Sequence, residues 1–412
     1  MYFNALIHFC FFFIGLHSFA QQEIAIDSVA IIPIKLVGTN YKQYMAIEKD
    51  IYAISKGDSL IVFNIESNQI KKIIPEIVAI GKTSKNKIFF LDIKGRLRET
   101  KDFIKSNKIG RIKGQFAKIL IDRNDHYVVI SEEGIYYQKT NYIPFEDKEV
   151  YRPKTNKKED KANFFKIPDV SFINSKNQMI LTYDYGEFGG HAVFFDLNAK
   201  TFLKTDTFST STESKTIGYY SSDEYRENLL STYPNQIKKD NGNIAYKYPN
   251  GMPFYRGVKG IAENLDGELL VSQSLMHFLV SGALILTKES QFPNFYYSKK
   301  IENVLQYRKL FGENGGLEML NEYLGPTAFN TFDNSFFYFS DKGFFKIIKD
   351  RDIYTKELFF APKLFWKGGL EHSVGYQMSV IKFEFISKTE LLFLTSNNGI
   401  GYFDGKLVKY FQ

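Results

Sequence analysis

One phrase recurs seven times in this chain of 412 residues and constrains its fold more than any other feature: an apolar run, a tight polar turn carrying a glycine, and a second apolar run. The leading runs are "DIYAIS", "KIFFLDI", "HYVVIS", "QMILTYDY", "ELLVSQ", "FFYFS" and "ELLFLTS". Their partners are "GDSLIVFN", "GRLRET", "GIYYQK", "GGHAVFFDL", "GALILTK", "GFFKII" and "GIGYFDG". Runs of about five to eight residues suit strands and fall short of helices. The 40 Phe and 27 Tyr against one Trp support strands, because aromatic side chains fit a pleated, packed surface. Polar pairs such as Asn124-Asp125, Asp266-Gly267 and Asp333-Asn334 precede several runs and tolerate the positive φ of tight turns. In four copies a Ser or Asp stands three residues before the glycine: Asp92 and Gly95, Ser131 and Gly134, Ser340 and Gly343, Ser396 and Gly399. A side-chain oxygen placed there can accept a backbone N–H across the turn.

The runs are apolar on consecutive positions, so each sheet is expected to be covered on both faces. A two-sheet sandwich leaves its outer faces polar and alternating, whereas blades packed side by side around an axis do not. The sequence therefore predicts an all-β protein, a β-propeller of seven four-stranded blades with six or eight as the neighbouring counts. The copies centre near residues 55, 90, 130, 185, 275, 340 and 397. The preceding stretch "IAIDSVAIIPIKLVG" (24–38) is expected to lend a strand to the last blade and close the ring, removing exposed edges.

The last copy, "LTSNNGIGYFDGKLVKY", is the most patterned. A strand ends at Thr395, a polar turn leads through Asn398 and Gly399 to Ile400, and an aromatic-Asp-Gly turn follows at Phe403, Asp404 and Gly405. This resembles the β-propeller repeats of two-component-regulator type found in exported bacterial proteins. The other copies match in part, and the resemblance implies a fold without implying a chemistry.

Residues 1–20 read as a secretory signal: the apolar core "ALIHFCFFFIGL" is shorter than the roughly twenty residues of a membrane helix and precedes Ser18-Phe19-Ala20, a small-x-small cleavage site. A single propeller domain over 21–412, secreted or periplasmic and without a transmembrane segment, is the expectation. The one cysteine, Cys10, lies inside the signal, so the mature chain must be held by core burial instead of disulfides. Lys and Arg total 53 against 46 Asp and Glu, a mild excess. The lysines are scattered except in "KTNKKEDK" (154–161), which reads as a solvated loop, so no nucleic-acid partner is expected. None of His126, His191, His277 and His372 stands at metal-ligand spacing, and no zinc, nucleophile-elbow or phosphate-loop motif occurs. No metal and no cofactor are expected.

Two insertions break the period, near 205–257 and 290–326. The first gathers Tyr219, Tyr220, Tyr225, Tyr233, Tyr246, Tyr248, Phe254 and Tyr255 with Arg226 and Arg256. Tyrosine offers an apolar face and a polar tip, which suits a sugar ring or a partner chain. In the second, Leu317, Leu320 and Leu324 share a helical face that Gly325 and Pro326 would terminate. The leading functional reading is an exported non-catalytic binding or scaffold module that presents Tyr219, Tyr220, Tyr246, Tyr248, Tyr255, Arg226 and Arg256 to a protein or glycan. The alternative is a propeller-fold hydrolase or lyase acting on an extracytoplasmic polymer. There Asp184, Glu187 and His191 of "TYDYGEFGGHAVFFD" would serve as acid, base and proton shuttle.

Overall fold

The computed structural model describes residues 30–113, 116–131, 134–138, 141–144, 168–184, 190–202, 237–240, 243–246, 257–276, 280–287, 323–350, 353–362, 380–396 and 398–412. Among these, the regular elements are all strands. They form seven antiparallel meanders in chain order: blade 1 (41–75), blade 2 (77–111), blade 3 (116–144), blade 4 (170–202), blade 5 (258–287), blade 6 (324–360) and blade 7 (380–411). Every leading run of the repeat is the second strand of a blade and every partner run is the third. Ile88–Asp92 and Arg96–Thr100 in blade 2, the least patterned copy, obey the same rule.

Strand number departs from four at two places. Blade 5 has three strands among the described residues, so six blades have four or more. Blade 7 has five, because Ile31–Ile34 runs parallel to Val408–Phe411 with Ile31 opposite Val408. The segment before the first copy thus does join the last blade, as its outermost strand. Closure of the ring does not depend on that strand, since blade 7 already has four of its own. A separate hairpin pairs Ile237–Asp240 with Asn243–Tyr246.

Seven apolar cores, one in each seam, show how the ring closes. Blades 1 and 2 share Met45, Ile54, Leu60, Ile80 and Phe90; blades 3 and 4 share Val128, Ile130, Leu181 and Phe195. The sequence continues round to a core of Tyr41, Tyr44, Phe63, Leu392, Tyr402 and Phe411 between blades 1 and 7. Tyr44 also donates its hydroxyl to the Leu392 carbonyl at 3.1 Å, tying the ends of the chain together. The aromatic excess concentrates between blades 6 and 7, where Phe360 stacks on Phe403 at 3.9 Å between ring centroids and on Phe344 at 4.7 Å. Each fully buried Phe is worth about 1.5–3 kcal/mol of transfer free energy. Sheets dry on both faces explain why second strands such as Ile88–Asp92 and Leu391–Thr395 are buried at every position.

Near the axis the first strands of successive blades pack against one another. A Cβ on Gly260 of blade 5 would stand 2.2 Å from the Thr327 amide nitrogen of blade 6, so only glycine permits that approach. Leu324, Gly325 and Pro326, expected to end a helix, instead begin the first strand of blade 6, Leu324–Asn330. The ladder shifts register between Leu324 and Thr327, and this bulge is what accommodates the Gly-Pro pair.

Candidate functional site

Two ends of the ring can be distinguished. At one end each first strand turns into the second. Here Asp122, Asn174 and Asn264 open equivalent turns, each accepting at its Oδ1 the amide four residues on, from His126, Gln178 and Glu268 at 2.8, 2.8 and 2.7 Å. The third residue after each opener, Asp125, Asn177 or Gly267, has φ near +60° to +80°. Side chains then link turn to turn. Asp125 accepts the Ser84 amide at 2.7 Å, Arg123 donates to the Asn174 carbonyl at 3.0 Å, and Ser175 donates its amide and hydroxyl to Glu263, each at 2.7 Å. Arg123 also reaches Glu263 of blade 5 at 2.9 Å, spanning blade 4.

Asp122 is the hub of this end. Its carboxylate accepts the amides of Asn124 and His126, the Tyr137 hydroxyl at 2.8 Å and Asn177 Nδ2 at 3.4 Å, with His126 Nδ1 3.2 Å away. Burial works to raise its pKa, but these hydrogen bonds together outweigh it and hold the carboxyl below its ordinary value. Satisfied on all sides, Asp122 is a structural carboxylate.

At the opposite end the chain passes from blade to blade. Blades 1 and 2 are joined there by Glu76 alone, whereas segments 145–169, 203–257 and 361–379 connect the outer strand of one blade to the first strand of the next. The first strands, the innermost of each blade, begin at this end of the ring. Lys259 ion-pairs with Asp184 and lies 5.5 Å from the Tyr323 ring centroid. Burial disfavours its charge, but Tyr323 and Asp184 more than offset this and keep its pKa above the ordinary lysine value. Lys118 is half-buried and donates to the Pro168 carbonyl at 3.3 Å. Its pKa is pushed down to about 8, chiefly by burial; Asp169 opposes the shift and the like charge of Lys382 adds to it. Lys382 sits 4.7 Å from the Tyr44 ring centroid and 3.8 Å from Glu384.

Asp184 ends the second strand of blade 4 at this end. Its carboxylate is held by Lys259 and its amide donates to Asp169 at 2.7 Å. It pairs in register with Gly190, and the His191 position stands opposite Tyr183, one step along the ladder. Glu187 lies outside the described residues, as do Tyr219, Tyr220, Tyr225, Tyr233, Tyr248, Phe254, Tyr255, Arg226 and Arg256, together with Leu317 and Leu320. Tyr246 ends the isolated hairpin, in register with Ile237. Among the turn oxygens, Ser131 accepts the Gly134 amide at 3.2 Å and Asp92 accepts those of Lys94 and Arg96, as their spacing suggested. In blade 7 Thr395 takes this place instead of Ser396, accepting the Asn398 amide at 2.9 Å and donating to the Gly399 carbonyl at 2.7 Å.

Lys118 and Lys382 were not singled out by the sequence. The signal available for them was a lone lysine near the start of an otherwise apolar first strand, in "FAKILI" and "VIKFEF". Among the described residues no group of three or more His, Cys, Asp or Glu could hold a metal ion, and no helix is long and apolar enough to cross a membrane.

No family model and no curated protein matches the chain. Solved propellers are similar to it in three dimensions. One is YCF48 bound to D1 peptide, 9% identical with a TM-score of 0.48 over 94% of this chain and 98% of that one. Another is Hsv2 of Kluyveromyces lactis, 13% identical with a TM-score of 0.40 over 90% and 97%. The extracellular domain of a putative hybrid two component system from B. thetaiotaomicron is 9% identical with a TM-score of 0.38, covering 90% of this chain and 46% of that one. These likenesses concern fold alone.

Proposed function

We propose that the protein is an exported, non-catalytic binding module whose ligand face is the channel mouth, presented to a protein or glycan partner. The observation that carries this reading is the asymmetry between the ends. Short hydrogen-bonded turns lace one end; segments 145–169, 203–257 and 361–379 depart from and return to the other, and segment 288–323 leaves blade 5 at the turn end and enters blade 6 at the opposite end. Long connections on a rigid scaffold are where binding surfaces are built. The tyrosines and arginines of the first insertion belong to such a connection, between blades 4 and 5. Export rests on the signal-like character of residues 1–20. The hydrolase or lyase alternative needs Asp184 or Glu187 as its acid or base; the Lys259 ion pair favours a positioning role for Asp184, and Glu187 lies outside the described residues.

A glycan array and a periplasmic pull-down with the exported chain test the proposal. They are run beside an insertion variant (Tyr246→Ala, Tyr248→Ala, Arg256→Ala) and a turn-end variant (Ser84→Ala, Lys176→Ala, Lys388→Ala). Binding lost in the first variant and kept in the second is the expected result. The reverse pattern overturns the face assignment, and cleavage of an arrayed glycan by the wild type replaces the binding module with the catalytic alternative.

A further inference from the structure

Four turns of the laced end follow one plan. Thr83, Asp122, Asn174 and Asn264 open them, each accepting at its side chain the amide four residues on. In three of the four the residue after the opener ties its blade to the next. Ser84 donates its amide and hydroxyl to Asp125 of blade 3 at 2.7 and 2.6 Å, Arg123 donates to the Asn174 carbonyl at 3.0 Å, and Ser175 donates to Glu263 of blade 5 at 2.7 Å. In blade 5 that place is taken by Leu265, which is 75% exposed. The corresponding turn of blade 6 carries Phe332, 57% exposed. Among the described residues no side-chain hydrogen bond or ion pair joins these two turns, although the first strands that lead to them meet at Gly260 and Thr327. A single exposed apolar residue needs no explanation, but two on adjacent turns whose equivalents are polar do.

Opposite charges flank the pair. In blade 7 the Ile386 amide donates to the Glu390 carbonyl as the Asn264 amide donates to that of Glu268, so Lys388 holds in its turn the place that Asp266 holds in its own. Both are exposed, and among the described residues neither has an ion-pair partner. Lys388 adjoins the turn of blade 6, because its carbonyl accepts Asn330 Nδ2 at 3.1 Å. Along the rim, then, blade 5 brings an anion and a leucine, blade 6 a phenylalanine and blade 7 a cation. An acidic partner would meet Asp266 and a basic one Lys388, each with the wrong sign. A second copy, turned by a two-fold rotation about a radial line through blade 6, lays blade 5 over blade 7 and blade 7 over blade 5. Each Asp266 then meets the Lys388 of the other copy, and the apolar residues meet at the centre.

We propose that the turn tips of blades 5, 6 and 7 form a two-fold, self-complementary docking surface for a second copy of this chain, with Leu265 and Phe332 at its centre and Asp266 and Lys388 as reciprocal ion pairs. The contact uses the laced end of the ring and leaves the proposed ligand face open, so it goes beyond the binding module and does not depend on it.

Sedimentation velocity of the full exported chain over a wide range of concentration is the test. The wild type is expected to pass reversibly from monomer to dimer. Leu265→Ser with Phe332→Ser should abolish the dimer, whereas Ile73→Ser, at an exposed position on the outer strand of blade 1, leaves it unchanged. Asp266→Lys alone and Lys388→Asp alone each set like charges against each other twice and should weaken association roughly tenfold. An equimolar mixture of these two single variants restores both pairs, and its dimer should return to wild-type strength. A wild type that stays monomeric overturns the proposal, as does a dimer that survives the serine variants or a mixture no stronger than its components. The wild-type run and the mixture decide even if the double serine variant does not fold. Loss of ligand in the glycan array and pull-down leaves this dimer untouched, and a monomeric wild type leaves the ligand face untouched, so the two proposals fail separately.

Discussion

At the turn end of the ring, Asp122, Asn174 and Asn264 close their own turns, and Ser84, Arg123 and Ser175 reach into the next blade or the one beyond. At the channel end, consecutive blades are joined by Glu76 in one place and by all of 203–257 in another. The same repeat unit supplies both ends, so the difference lies in which connections each seam depends on. A turn that carries cross-blade hydrogen bonds cannot lengthen without unlacing its neighbours. A connection that leaves from an outer strand breaks nothing when it grows, because the seam cores and the inner-strand packing already hold the blades together. The turns that carry cross-blade bonds are therefore constrained by stability, and the connections that leave an outer strand are not.

The largest effect should come from the close packing of first strands near the axis. Gly260→Ala places a Cβ 2.2 Å from the Thr327 nitrogen and 2.8 Å from Pro326 Cα, both backbone atoms, and blades 5 and 6 must separate at the axis. A loss of about 3 kcal/mol is expected in urea unfolding. Next comes the hub of the turn end. Asp122→Ala leaves the Tyr137 hydroxyl, Asn177 and two turn amides unmet in a buried site and should cost about 2–3 kcal/mol. Asp122→Asn keeps an acceptor oxygen and should cost about half as much. The wild-type contribution is present above the ordinary carboxylate pKa of 3.8 and is lost as pH falls through the lowered folded value. An Asp122→Ala variant as stable as wild type would erase the contrast between the ends. Smaller again is Arg123→Ala: its partner Glu263 is nearly buried but the guanidinium is half exposed, so about 1 kcal/mol is expected from thermal unfolding.

The legible part of this fold was the middle of each blade. Second and third strands are covered on both faces, and their unbroken apolar runs announce it, as in Tyr127–Ser131 and Ser335–Ser340. Outer strands are half-solvated: Gln69–Pro75 alternates between exposed and partly buried positions and produces no apolar run. First strands are interrupted by the bulge, which throws a polar or small residue into the pattern and made Leu324-Gly325-Pro326 read as a helix stop. The turn openers were missed because their partner is the residue with positive φ three places on, and only those second members, such as Asp125 and Gly267, drew notice. Of the candidate site, Asp184 was singled out through its crowded hairpin. Lys118 and Lys382 escaped because a lone lysine in a strand looks like one facing solvent, and their partners Pro168 and Tyr44 come from neighbouring blades that only the fold brings near.

That difference in visibility sets up the mildest test of the comparison, a pH profile of stability. Lys118 has a folded pKa of about 8 against an ordinary 10.5, so between these values the unfolded chain holds the extra proton. Stability must then rise with pH across that interval, because the full penalty of a charged, half-buried amine is felt below pH 8 and is relieved above it. Tyr41 sets the upper bound: burial raises its pKa from 10.0 to about 12, which favours the unfolded state once pH passes 10. The rise should therefore be seen between about pH 8 and pH 10 in denaturant midpoints, vanish in Lys118→Met, and persist in Arg123→Ala. A profile that stays flat in the wild type would mean that the channel mouth keeps Lys118 as well solvated as any surface lysine, leaving the open end of the ring with no electrostatic character of its own.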